Sequence, residues 1–296
     1  MQTVVQCGAM LPENPVNLKI YDTSMRIGVD LGGTNIRAGL VDGQTIIKKA
    51  KAACPAKGCC EEVIETVAGL ISEVLCDGVE SIGIGVPSVV DTRRGIVYNV
   101  ANIPSWVEVH LKDILEERFN IPVHINNDSN CFTLGESRFG KGQGYADMVG
   151  VTLGTGVGSG IIINGNLYEG RNAGAGEVGC LNYLDKDYES YCSTPFFVAH
   201  NTTGAELAAK AEAGDPEAVA LWNEFGHHLG ELAKAILFAY DPEAIVFGGG
   251  IAAGHPHFEK ALRERIQTFP YETGKGVKIL FSEDGDMALY GASALQ

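Results

Sequence analysis

Apolar residues in this chain come in short runs that stop at glycine, and the spacing inside each run separates strands from helices. Residues 26–41 alternate around a glycine-rich bend and predict a β-hairpin, followed by a third strand at Thr45–Ala53. Residues 61–76 place Val63, Ile64, Val67, Leu70, Ile71, Val74 and Leu75 at helical spacing. A strand at 81–86, an amphipathic helix at 107–119, a strand at 121–125 and a helix at 131–139 follow. A second hairpin then opens at Val149. Beyond it the pattern predicts a long helix at Pro216–Tyr240, a buried strand at 244–247, a helix at 257–268, a strand at 277–281 and a closing helix at 287–295. Residues 1–24 show no periodicity and read as an extension. His227 and His228 fall mid-helix, one facing the core and one solvent, and His255 and His257 fall in a loop.

The two hairpins are copies. IGVDLGGTNIRAGLVDGQ at 27–44 aligns with VGVTLGTGVGSGIIINGN at 149–166, pairing Gly28 with Gly150, Leu31 with Leu153, Gly32 with Gly154 and Gly43 with Gly165. Asp42-Gly43 and Asn164-Gly165 predict type I′ turns, which need positive φ at both central residues. Hairpins followed by alternating helices and strands, written twice, predict a duplicated α/β fold of two domains with a central cleft. The smaller domain spans 25–125, with the closing helix near 286–296 returning to it, and the larger spans 126–285.

Composition narrows the function. Glycine supplies 38 of 296 residues, against an average of about 7%, and clusters at strand ends, where tight turns and close ligand approach need it. The net charge of −15 argues against nucleic acid as a partner, because an acidic chain repels phosphate backbones. No apolar stretch approaches the ~18 residues of a membrane span and no secretory signal opens the chain, so a cytoplasmic protein is expected. The eight cysteines (7, 54, 59, 60, 76, 131, 180 and 192) are expected to be reduced, and Cys54, Cys59 and Cys60 lack zinc-finger spacing.

The chemistry sits at the bends. Gly32, Gly33 and Thr34 follow Asp30, so bare amides can face phosphate oxygens while Asp30 holds Mg²⁺ through water. Gly154, Thr155 and Gly156 form the matching bend. Their GxGxxG-like spacing lies between two strands instead of opening a helix, which excludes a dinucleotide fingerprint. Two such loops imply a nucleotide gripped between two halves. Asn127-Asp128 stands between a strand and a helix. There a carboxylate is either a helix N-cap or a base for a hydroxyl attacking a phosphate.

These segments together, DLGGTNIRAGL (30–40), INNDSNCFTLGE (125–136), LGTGVGSGIIINGNLYEG (153–170), AGEVG (175–179) and DPEAIVFGGG (241–250), resemble the ROK family (repressor, ORF, kinase) of the actin/hexokinase/Hsp70-like ATPase superfamily. The resemblance implies a duplicated RNase H-like fold, ATP in the cleft and phosphorylation of a sugar hydroxyl. It implies that Asp128 is the catalytic base and that Gly248, Gly249 and Gly250 line the adenosine side. It further implies that Asn102, Asn127, Glu177 and Glu189 hold the sugar. A homodimer is the family's expected assembly. Zinc-binding members carry a histidine where this chain has Cys180, then a cysteine run that is missing here, so no zinc is expected.

The resulting expectation is an ATP- and Mg²⁺-dependent kinase of a hexose, glucose at its 6-hydroxyl. The changed segment between Glu177 and Glu189 leaves N-acetylmannosamine, N-acetylglucosamine, fructose and allose open as substrates. A sugar-responsive regulator is the alternative from another class. Its helix-turn-helix module would not fit in the 24 residues before the first hairpin.

Overall fold

The computed structural model describes residues 24–171 and 173–296. The expected extension and Cys7 lie outside the described residues, apart from Ser24. The chain begins with β1 (Met25–Leu31), β2 (Asn35–Asp42), β3 (Thr45–Ala53), α1 (Cys60–Val74) and β4 (Val79–Val86). A small sheet of β5 (Val89–Asp91), β6 (Ile96–Tyr98) and β7 (Glu108–Val109) precedes α2 (Leu111–Phe119) and β8 (Val123–Asn127). The main sheet runs β3-β2-β1-β4-β8, antiparallel through the hairpin and parallel from β1 to β8.

The second half repeats that order. It contains α3 (Asp128–Phe139), β9 (Met148–Leu153), β10 (Val157–Ile163), β11 (Asn166–Leu167) and the two-stranded pair β12 (Asn182–Tyr183) and β13 (Lys186–Asp187). Short helices α4 (Tyr188–Cys192), α5 (Thr194–Ala199) and α6 (Gly204–Glu212) lead to α7 (Pro216–Tyr240). Then come β14 (Ala244–Gly248), α8 (His255–Ile266), β15 (Lys278–Phe281) and α9 (Met287–Ser293). This sheet runs β11-β10-β9-β14-β15, again a hairpin extended by parallel strands.

Several local expectations change. The helix predicted from Val107 starts only at Leu111, because Glu108 and Val109 pair with β6. Asn99 N–H donates to Val107 O at 2.9 Å, so cross-strand pairing overrides the local helical spacing. His255 and His257 lie in the first turn of α8 and not in a loop, with Pro256 where a helix tolerates proline. The second hairpin turn has Asn164 and Gly165 both at positive φ, as a type I′ turn requires. In the first, Asp42 still pairs with Thr45 and only Gly43 has positive φ, so the turn is Gly43-Gln44. Nothing in the periodicity marked the short elements between Gly170 and Pro216. None of the described helices is long and apolar enough to cross a membrane.

Each sheet has its own core, one under α1 and one under α7 and α8. A third cluster, including Cys131, Leu134, Met148, Val246, Met287 and Ala292, lies between them around α3 and α9. α9 presses on the first sheet, where a Cβ at Gly28 would fall 2.0 Å from Leu289 O and one at Gly83 1.7 Å from Ala292 O. α3 presses on the second, where Cβ atoms at Gly150 and Gly160 would fall 2.3 and 2.6 Å from Thr133 Oγ1. The helices cross at Gly135 and Gly291, and a Cβ at Gly291 would lie 1.6 Å from Cys131 O. Because the obstacle is backbone, Gly291→Ala should lose about 1–3 kcal/mol, the cost typical of overpacking. Gly69, exposed in α1 with open space around its missing Cβ, is the control: Gly69→Ala should gain up to about 1 kcal/mol from helix propensity. Thermal melts of both variants check the opposite signs.

Candidate active site

The first bend ends beside an ion network. Arg37, opposite Asp30 in the ladder, donates from Nη2 and Nε to Asp30 Oδ2 at 2.6 and 3.1 Å. Its Nη1 reaches Gly285 O at 2.9 Å and Asp286 Oδ1 at 3.1 Å, while Lys49 Nζ holds Asp286 Oδ2 at 2.7 Å. Among the described residues no hydrogen bond falls on Asp30 Oδ1. Gly32 N–H donates to Asn35 O at 3.0 Å and closes the bend. Asn102 lies against Gly33, where a Cβ would come within 2.7 Å of the asparagine Cβ.

The second bend is braced differently. Thr152 stands where Asp30 stands in the first copy and faces Gly158. Gly154 N–H donates to Gly156 O at 3.0 Å, and Thr194 donates to Gly154 O from N at 3.0 Å and Oγ1 at 2.8 Å. Ser193 Oγ donates to Thr155 O at 3.4 Å. Glu189 Oε2 accepts from Val157 N–H at 3.0 Å, and a Cβ at Gly156 would lie 2.2 Å from that oxygen. Glu189 therefore rests on the second glycine loop with Oε1 free of hydrogen bonds among the described residues.

Asp128 sits where the halves meet. The N-cap of α3 is Asn127, whose Oδ1 accepts from Ser129 N–H at 2.9 Å and Asn130 N–H at 3.3 Å. Its Nδ2 donates to Ser88 O at 3.4 Å. Capping thus falls to Asn127. Asp128 Oδ1 accepts from Ser129 N–H at 2.7 Å and Ser129 Oγ at 3.3 Å, and no hydrogen bond uses Oδ2 among the described residues. Burial and the neighbouring Asp30 charge push the Asp128 carboxyl up to about 6. Glu177 adds to the rise, and the Ser129 bonds oppose it. Ser129 Oγ also lies 3.1 Å from Thr152 Oγ1, tying the second bend to Asp128.

Asp30, Arg37, Asp128, Thr152, Gly249 and Gly250 share a cavity of about 420 Å³ with the acidic loop Ser282, Glu283, Asp284 and Gly285. Gly248 packs on Phe132, Gly249 has φ +85° and backs onto Leu153 O, and Gly250 opens into space. The bends Gly32–Thr34 and Gly154–Gly156 do not line this cavity. Asn102, Asn127, Glu177 and Glu189 do not line it either. Glu177 is exposed on a loop pinned by Gly176, whose carbonyl accepts from Ser159 Oγ. Cys180 Sγ points at Glu177 Oε2 at 3.9 Å, and burial, followed by Glu177 and Glu189, raises its thiol pKa. A larger cavity of about 500 Å³, bordered by Arg93, Lys112, His124 and Arg138, contains none of these residues.

Sequence reasoning missed the residues that brace this site. Arg37 could have been found as the one charge inside the apolar run of β2. Asn126 and Glu169 carried no such signal: Asn126 Nδ2 donates to Glu169 Oε1, and Thr92 Oγ1 donates to Glu169 Oε2 at 3.3 Å, stitching the halves together behind Asp128. No group of three His, Cys, Asp or Glu side chains gathers as metal ligands among the described residues. A cation here would rest on Asp30 Oδ1, water and phosphate oxygens, a set that fits Mg²⁺.

The glucokinase of Thermotoga maritima is 33% identical over 275 residues, covering 81% of this chain and 86% of that protein. The N-acetyl-D-glucosamine kinase of Yersinia pseudotuberculosis serotype O:3 is 31% identical over 280 residues, covering 83% and 89%. The crystal structure of a ROK family glucokinase from Streptomyces griseus with glucose and AMPPNP superposes with a TM-score of 0.77 at 30% identity, covering 92% of this chain and 98% of that one. This chain shares the duplicated RNase H-like, actin-like ATPase fold of those kinases. The ROK family model matches residues 26–296, and the chain belongs to the ROK family.

Proposed function

We propose that the chain is an ATP-dependent sugar kinase that phosphorylates a hexose, with glucose at its 6-hydroxyl as the preferred substrate. The observation that carries this is Asp128: half-buried, with no hydrogen bond on Oδ2 among the described residues, and sharing with Asp30, Gly249 and Gly250 one cavity. Asp128 Oδ2 accepts the proton of the attacking hydroxyl as its oxygen bonds to the γ-phosphorus and the bridge to ADP breaks. Mg²⁺, when bound at Asp30, neutralises charge on the transferring phosphates. Amides of the Gly32–Thr34 and Gly154–Gly156 bends, other than the Gly32 and Gly154 N–H groups that close them, hold phosphate oxygens, and Gly248–Gly250 makes room for adenosine. Asn102, Asn127, Glu177 and Glu189 orient the sugar ring. The two lobes, 25–125 with the closing helix and 126–285, close over the substrates and exclude water.

The Yersinia relative and the thiol at Cys180 favour a second reading, in which the sugar carries a 2-acetamido group, as in N-acetylglucosamine or N-acetylmannosamine. A coupled assay over glucose, fructose, allose and both amino sugars separates the two. The preferred reading requires kcat/KM for glucose to lead the panel.

Asp128→Asn should lower kcat by about 10²–10⁴-fold with little change in sugar KM. A loss below tenfold would remove Asp128 as the base. The active form is the carboxylate, so kcat/KM in the wild type should fall about tenfold per pH unit below pH 6. The same raised pKa works against stability. A carboxyl that binds its proton more tightly folded than unfolded supports the fold below pH 4 and loses that support as pH rises through 6. Asp128→Asn should therefore melt higher than wild type at pH 7.5, with the advantage gone at pH 4. Glu177→Gln should raise sugar KM at least about tenfold while ATP KM stays within twofold, as expected for a charged hydrogen-bond acceptor to a hydroxyl.

A further inference from the structure

The segment from Glu177 to Glu189 carries two of the sugar-orienting carboxylates, yet it has little structure of its own. It consists of a single 3₁₀ turn (Val178–Cys180), two strands of two residues each and the start of a five-residue helix. A two-stranded hairpin that short is not stable alone. Three tyrosines tie it to α7. Tyr183 stacks on Tyr188 with centroids 4.4 Å apart and planes 12° from parallel, and meets Tyr191 edge-on at 5.4 Å. Tyr183 Oη lies 3.0 Å from His228 Nδ1, and the Tyr191 ring lies 4.9 Å from the imidazole. Tyr188 Oη donates to Glu231 O at 3.4 Å, one turn further along α7. Tyr188 and Tyr191 flank Glu189 on the five-residue helix α4 and both pack on Tyr183, so this anchorage fixes where that carboxylate stands.

The polar centre of this cluster is a single hydrogen bond. The Glu224 carboxylate, 3.7 Å from His228 Nε2, favours the ring proton on that nitrogen, which leaves Nδ1 to accept from the Tyr183 hydroxyl. Nε2 is buried with no hydrogen bond within 3.5 Å among the described residues.

We propose that Tyr183 and His228 form a clamp that positions Glu189 and the Glu177–Cys180 turn for the sugar, ordering that segment by aromatic packing and one part-buried hydrogen bond. The inference rests on the sugar-kinase reading for its kinetic consequence, and its structural consequence is measured separately. Tyr183 and His228 are positioning residues: neither borders the cavity around Asp128.

The experiment uses the full chain with four variants, Tyr183→Phe, His228→Leu, their combination and His228→Asn. Tyr183→Phe keeps the stacked ring and removes only the hydroxyl. Sugar KM should rise about five- to tenfold in Tyr183→Phe and in His228→Leu, the scale of one buried hydrogen bond, with kcat and ATP KM within about twofold. The double variant should be no worse than either single one, because both remove the same bond. His228→Asn, which keeps an acceptor near Nδ1, should restore most of the affinity. Deuterium uptake should increase over residues 178–192 and stay unchanged over α7. A fall in melting temperature with unchanged sugar KM, or uptake rising equally along α7, would overturn the clamp. If wild-type protein phosphorylates none of the sugars, the functional reading fails, and uptake over 178–192 still decides the clamp.

Discussion

The rest of the fold depends on the crossing of α3 and α9. Each helix lies on one sheet and touches the other at a point where neither has a side chain. Gly291 meets the backbone of α3 at Cys131, and Gly135 meets the backbone of α9 at Met287. Glycines in the strands below let each helix sink onto its own sheet. The stack of sheet, helix, helix and sheet is therefore thinner than side-chain packing would allow. This closeness matters for chemistry because α3 begins at Asp128 and α9 begins just after the loop that Arg37 holds. A spacer at the crossing would separate Asp128 from Asp30. Close-packed interiors deform little, so the distance between the two carboxylates is set by the glycines behind them.

That spacing produces the electrostatics of the site. Asp30 and Asp128 border one cavity, and the Asp30 charge raises the Asp128 pKa. The structure separates them by environment. Asp30 has the Arg37 guanidinium on Oδ2, whereas among the described residues Asp128 has only the hydroxyl and amide donors of Ser129, and it is pushed up to about 6. One carboxylate is held by a cation and the other left basic, which is the division of labour that metal binding and proton acceptance require. The ion pair is partly exposed, so its value lies more in this polarisation and in orienting Asp30 than in stability.

Much of this was legible in the sequence because the informative signals are local. Alternation and glycine placement identify both hairpins, helical spacing places α7 at Pro216–Tyr240, and Asn127-Asp128 marks the strand-to-helix junction. What escaped reading depends on partners distant along the chain. Val107–Val109 has helical spacing but is recruited as a strand by β6. The segment after Gly170 has no period of its own, because it takes its order from aromatic contacts with α7. Asn126, Glu169 and Thr92 form their network across 77 residues of separation between Thr92 and Glu169, and no window around any one of them reveals it. The cap-or-base ambiguity at Asn127-Asp128 was real in sequence terms. The structure resolves the capping half of it by giving the cap to Asn127.

The duplication itself explains how one motif came to serve two purposes. In both copies a glycine bend joins two strands, and the residue before the bend faces a fixed partner across the ladder. In the first copy the pair is Asp30 with Arg37, and in the second it is Thr152 with Gly158. Replacing a charge pair by a hydroxyl and a bare backbone removes the ions and leaves donors. Thr152 then reaches Ser129, and through it the residue beside Asp128, where a second carboxylate would have added to the repulsion that already raises that pKa. An aspartate at 152 as well as at 30 would have added a fifth carboxylate to a cavity already bordered by Asp30, Asp128, Glu283 and Asp284, and would have raised the Asp128 pKa further. The asymmetry between the copies thus spares Asp128 a further neighbouring carboxylate, and the glycines facing Thr133 in the second copy and Leu289 in the first preserve the symmetric frame on which that asymmetry is built.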